Sequence, residues 1–163
     1  MSFDLAATLR SLATRNPGRS EADIQAMIRD VLVFGGFDLG DEAVLLESPA
    51  EDRRRLDVAV GAVIIECKRD IRAPGQLIKA ARQLGEYLAA KAAQGSYAGV
   101  LTDGAIWRLY RHTTSGPELV DELVVTPSRV NERAFRWWLG AVLSTENRVR
   151  PTVSALEERL GSH

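Results

Sequence analysis

The chain has 163 residues, 45% hydrophobic and 26% charged, with a formal net charge of -1. That length suits one hydrophobic core rather than two domains, and no apolar run approaches the ~18 residues needed to span a bilayer. One cysteine, Cys67, excludes an intramolecular disulfide framework and fits a reducing cytoplasm; with only two histidines beside it, a Cys/His zinc site is not expected.

The predicted elements follow in chain order. Phe3, Leu5, Leu9 and Leu12 recur on one face of a helix over 3–15, which "NPG" at 16–18 stops. Ser20 reads as the N-cap of a second helix, with Glu21 and Asp23 in its first turn and Ile24, Ile28, Val31 and Leu32 as its apolar stripe. "GGF" at 35–37 ends it. "AVLLE" at 43–47 reads as a strand and "SPAED" as a turn. "RRRLDVAVGAVIIECKRD" at 53–70 reads as a hairpin, and after "APG" at 73–75 a long helix runs to about Lys91, with Leu77, Ala81, Leu84 and Leu88 on one face. "YAGVL" and "AIWRLY" flank the turn "TDG" as two strands, with Trp107 and Tyr110 expected in the core. "ELVDELVV" at 118–125 suits another strand, and "ERAFRWWLGAVL" and "VSALEERL" suit helices; His112 is read as a loop residue, and the adjacent Trp137 and Trp138 as pointing to different parts of a helix surface. The architecture expected is α/β, a mixed central β-sheet flanked by α-helices.

The hairpin sets charges into its most strand-like segment. With Gly61-Ala62 as a two-residue turn, Val60 pairs with Val63 and Asp57 falls opposite Glu66. Alternation then puts Asp57, Ala59, Ile64, Glu66 and Lys68 on one face, and Leu56, Val58, Val60, Val63, Ile65 and Cys67 on the other. Opposed carboxylates repel, and Lys68 offsets only one of the two. A divalent cation would balance the set: the Asp57 and Glu66 carboxylates, the Cys67 carbonyl and waters form an all-oxygen site suited to Mg²⁺ or Mn²⁺. The plainer alternative is a pair of ordinary strand-end charges, with Lys68 bridging Glu66.

"LD-x8-ECK" on a strand pair followed by a helix resembles the signature of the PD-(D/E)xK nuclease superfamily. Asp57, Glu66 and Lys68 match its motif position by position, with Leu56 where the motif has proline. Glu21, on the preceding helix, matches an acid that joins the metal site in many members. "QLGEY" is similar to the Q-x3-Y motif of some branches, through Gln83 and Tyr87. "LTDGAIWRLY" is similar to the segment that follows in nuclease domains at the N-terminus of type I restriction motor subunits. The resemblance covers about residues 20–111, with 131–163 as a C-terminal helical extension of a single domain 1–163.

The resemblance implies a restriction-endonuclease-like core that hydrolyses DNA with Mg²⁺ or Mn²⁺. Asp57 and Glu66 would hold the ion, Cys67 (through its carbonyl) and Glu21 would be further ligands, and Lys68 would be the catalytic lysine. Gln83 would orient a site residue or contact a phosphate, with Tyr87 facing the groove. Arg53, Arg54, Arg55, Arg69 and Arg72 form a local basic cluster where a DNA backbone would lie. A phosphate-binding domain is usually basic, so the net charge of -1 implies help from other domains or subunits of a restriction or defence complex. Cutting two strands with one site per chain calls for a homodimer or two successive events. The rival reading is a non-catalytic binding or scaffolding module, and an RNA substrate is compatible with the same residues.

Overall fold

Local signals set the first two helices. Asp4 caps α1 (Leu5–Ala13), its side chain accepting the Ala7 N–H at 2.9 Å. Ser20 caps α2 (Glu21–Phe34) in a reciprocal box: its hydroxyl accepts the Asp23 N–H at 3.1 Å, and the Asp23 carboxylate accepts the Ser20 N–H at 2.8 Å. The computed structural model describes residues 2–39, 44–49 and 55–143; for 45–49, 55–57 and 59 it describes the backbone alone. Arg53, Arg54 and the helix expected at "VSALEERL" lie outside the described residues.

Among the described residues, six strands form one sheet in sequence order: β1 (Val44–Pro49), β2 (Arg55–Val60), β3 (Val63–Cys67), β4 (Ala98–Thr102), β5 (Ile106–Thr113) and β6 (Gly116–Val124). Among these strands only β3 and β4 run parallel, and α3 (Gln76–Lys91) makes the crossover between them. The sheet is therefore mixed, as expected. The β2–β3 hairpin has the expected register, Val60 opposite Val63 and Val58 opposite Ile65. Gly61 supplies the positive φ of 55° that the tight turn needs. The first strand runs on through Ser48 and Pro49, where a turn was expected, and His112 lies in β5 rather than in a loop.

Alternation along β3 divides the core in two. Val63, Ile65 and Cys67, with Val58 and Val60 of β2, pack against α1, α2 and α4 (Glu132–Leu143). Ile64 faces the other way, into a cluster with Leu84, Tyr87 and Leu88 of α3, Leu101 of β4 and Tyr110 of β5. On the first face, Phe135 meets Trp107 edge-on with ring centroids 5.0 Å apart, and the Trp138 indole donates to Asp121 at 3.0 Å. Trp138 is buried and Trp137 is half exposed. Leu5 and Leu143 share this cluster, so the core draws on more of the chain than the 20–111 segment that carries the resemblance.

On the second face α3 lies close to the sheet. A Cβ at Gly85 would come within 2.7 Å of the Pro117 ring, so only glycine allows the helix to approach β6 at this depth. The buried side of α3 is Ala80, Leu84, Tyr87 and Leu88, with Leu77 and Ala81 of the expected stripe partly buried against the same cluster. None of the helices among the described residues is long and apolar enough to cross a membrane.

Candidate active site

Glu66 and Lys68 meet where the parallel pair ends. Open α/β sheets commonly bind ligands at the carboxyl ends of such strands. Glu66 is the penultimate residue of β3 and points to the α3 side, where it is 1% exposed. Lys68 follows two residues on, so alternation returns it to the same side. Its backbone N–H donates to the Thr102 carbonyl at 2.9 Å, carrying the pairing with β4 one residue past the strand. Its Nζ lies 2.9 Å from Glu66 Oε1 and donates to Gln83 Oε1 at 3.1 Å. Gln83 is thus brought to the lysine.

The other Glu66 oxygen, Oε2, is buried and has no hydrogen-bond partner among the described residues. Burial pushes the Glu66 carboxyl above the ordinary glutamate range. The hydrogen bond and charge of Lys68 oppose that rise, and the negative charge of Glu21 adds to it. Glu21 therefore acts electrostatically on this site from the first turn of α2, although it is solvent-exposed.

Two expected ligands are placed by the backbone. Continuing the β2–β3 register by one residue puts Asp57 opposite Glu66; the Asp57 side chain lies outside the described residues. The peptide groups of successive strand residues point to opposite sides. The Lys68 N–H points to β4, so the Cys67 carbonyl points toward β2, the strand that carries Asp57. The Cys67 side chain is buried in the opposite core and faces away from Glu66. Among the described residues, no group of three or more His, Cys, Asp and Glu side chains converges as a metal site.

The expected nucleic-acid contacts fare differently. Tyr87 is 4% exposed, packed with Ile64, Leu84 and Tyr110; its ring lies in the core and not on an open groove. Arg55 lies on β2, with its side chain outside the described residues. Arg69 is exposed but donates to the Pro17 carbonyl. Arg72 reaches Asp70 Oδ1 at 3.3 Å and Asp103 Oδ2 at 3.6 Å. Both arginines therefore tie the β3–α3 loop down as well as carrying positive charge.

Asp103 is a residue whose role the sequence did not reveal. It is buried, and its Oδ1 accepts the N–H groups of Ala105 and Ile106 at 3.0 and 2.9 Å, closing the β4–β5 turn. Its Oδ2 accepts the Ile71 N–H at 3.1 Å and so clamps the loop that follows Lys68. The signal available was the aspartate of "TDG", which reads equally as an ordinary turn residue. Asp70 binds Arg15 from the α1–α2 loop. Burial opposes its charged form, but is outweighed by hydrogen bonds from Arg15 and from the Arg72 backbone and side chain, which leave its carboxyl below the usual aspartate range.

Compared with known protein families, curated proteins and solved structures, the chain matches none.

Proposed function

We propose that the chain is a metal-dependent nuclease of the PD-(D/E)xK type that hydrolyses phosphodiester bonds in DNA, acting as the cleavage module of a restriction or defence system. The observation that carries this reading is the condition of Glu66: a buried carboxylate with one oxygen on Lys68 and the other without a partner among the described residues. A carboxylate in that position is costly unless a second cation completes it.

The donor set fits such a cation. Glu66 Oε2, the Cys67 carbonyl directed toward β2 and the carboxylate of Asp57 are hard oxygen donors, suited to Mg²⁺ or Mn²⁺. When bound, the ion supplies Lewis acidity and a water of lowered pKa. Lys68, held between Glu66 and Gln83, keeps its ammonium where it can donate to a phosphate oxygen as negative charge builds in the transition state. Gln83 is a positioning residue, acting through Lys68. Burial keeps Glu66 less acidic, and the negative charge of Glu21 adds a smaller push in the same direction.

A binding module with the same fold would call for no buried carboxylate with an unfilled oxygen. The test is incubation of supercoiled and linear DNA with Mg²⁺, with Mn²⁺ and with chelator. Nicking or shortening that requires the ion supports the proposal; intact DNA under all three conditions favours the binding module.

A further inference from the structure

Beyond the carboxyl end of β3, on the α1–α2 side of the sheet, the α1–α2 loop and the β3–α3 loop enclose a cleft of about 180 Å³. Its charged lining is four arginines, Arg15, Arg19, Arg69 and Arg72, against two carboxylates, Asp70 and Asp103. Four positive charges over two negative ones leave an excess of two. A shallower groove along α1 shares Arg15 and Arg19, adds Arg10 and has no acidic lining residue. The whole chain has 21 basic and 22 acidic residues, so this is a strong local departure from its average charge.

The arginines are held in place. Arg19 donates through Nη1 and Nη2 to the Ser11 carbonyl and hydroxyl, at 2.8 and 3.1 Å. Arg15 turns Nε and Nη2 to Asp70, which leaves Nη1 for another acceptor, and its side chain is 70% exposed. Positioned guanidiniums of this kind recognise phosphate oxygens well. The cleft lies at the same strand end as the candidate site but across the sheet from it: Arg69 and Asp70 follow Lys68 directly, and Leu12 and Ile24 of the α1–α2-side core line it.

We propose that this cleft is a phosphate-binding subsite that receives a DNA phosphate outside the cleavage site, at the same end of β3, with Arg15 and Arg19 as its principal contacts. The proposal rests on the nuclease reading for its ligand, and it assigns a role to the α1–α2 loop, which lies outside the segment that carries the family resemblance. The phosphate is either internal to the strand or terminal, and the two sources separate by experiment.

Binding of a fluorescent DNA duplex is measured in chelator, so that no cutting occurs, over a range of salt concentrations. The Arg15→Gln/Arg19→Gln variant should bind several-fold more weakly, and the slope of log K against log salt should fall by about 1.8, the loss of two phosphate contacts. A variant with wild-type affinity and slope overturns the proposal. Because Arg15 also ties the loops together, the wild-type protein provides a second measurement. Phenylglyoxal modification of Arg15 and Arg19, read by mass spectrometry, should be slowed by bound duplex while the exposed Arg133 is unaffected; equal modification with and without DNA overturns the proposal. Preference for a 5′-phosphorylated over a 5′-hydroxyl duplex identifies a terminal phosphate, and equal affinity an internal one. Protection without Mn²⁺-dependent cleavage would retain the cleft and remove the nuclease reading. Cleavage without protection would do the reverse.

Discussion

Gln83 Oε1 accepts a hydrogen bond from Lys68 Nζ at 3.1 Å, across the gap between α3 and the end of β3. Four residues on from Gln83, Tyr87 turns into the core. The glutamine is therefore the residue of this helix pair that reaches the charged cluster. Replacing it with alanine removes one of the contacts that hold the lysine ammonium, without changing any charge. Gln83→Ala is expected to lower kcat by about tenfold, within the range of effects from misplacing a catalytic group, and to leave Mn²⁺ affinity unchanged. Single-turnover cleavage and calorimetric Mn²⁺ titration check the two halves. An unchanged kcat would remove Gln83 from the mechanism.

The buried carboxyl of Glu66 makes a pH prediction. Its folded-state pKa is raised, chiefly by burial. Between the unfolded and folded values the folded protein binds more protons, so stability falls as pH rises through that window and stays low above it. Urea unfolding in chelator should show this downward trend from the ordinary glutamate range upward, and Glu66→Gln should lack it. A wild-type curve that rises over the same window would contradict the burial account.

Lys68→Ala leaves that carboxylate without its counter-charge. Removing one partner of a buried pair costs about 3–5 kcal/mol, with the lower end expected here because the lysine side chain is 20% exposed. The loss should be largest above the folded pKa of Glu66 and shrink at lower pH, where the carboxyl is protonated. Urea midpoints at the two ends of the window measure it; a loss independent of pH would place the damage elsewhere.

The packing of α3 is testable at Gly85. A Cβ there would meet the Pro117 ring, which cannot rotate aside as a flexible side chain would. Gly85→Ala gains about 1 kcal/mol in helix propensity but forces the helix outward, at a cost of about 1–3 kcal/mol. The expected result is a small net loss of stability. A larger fall in cleavage rate should accompany it, since Gln83 moves with the helix. A stabilised variant would show that α3 sits less tightly than its contacts indicate.

Asp103 should matter more to stability than an exposed turn residue does. Asp103→Ala strips the acceptor from the Ile71, Ala105 and Ile106 N–H groups. Unsatisfied buried donors cost about 1–3 kcal/mol each, so the expected loss is at least about 3 kcal/mol by urea unfolding. A change below about 0.5 kcal/mol, typical of exposed surface sites, would contradict the clamp.

The contrast between these residues shows what the sequence made legible. The hairpin register followed from Gly61-Ala62 and strict alternation, and Val60 does pair with Val63. Ser20 was legible as a cap because its partner, Asp23, lies three residues away. Gln83 and Lys68, on the helix and strand end that follow one another in the chain, do lie within hydrogen-bond distance. Tyr87 was misplaced because helical spacing shows which residues share a face, but not how that face is turned toward the sheet. The Gly85–Pro117 contact helps set that rotation, and its partners are far apart in sequence. Arg69 and Arg72 looked like free basic residues for the same reason: Pro17 and Asp103 reach them from distant loops. The Arg15–Asp70 pair, 55 residues apart, left no local pattern at all.

The most direct test of the central claim is single-turnover cleavage of a DNA duplex in Mn²⁺, with wild-type protein and Glu66→Gln purified side by side. The amide removes the charge of Glu66 while keeping its size. Wild-type protein should cut, and Glu66→Gln should cut at least about 10²-fold more slowly, the scale of losing a single preorganised electrostatic contact. Equal rates for the two proteins, or no cutting by the wild type, would contradict a nuclease built on Glu66 and Lys68.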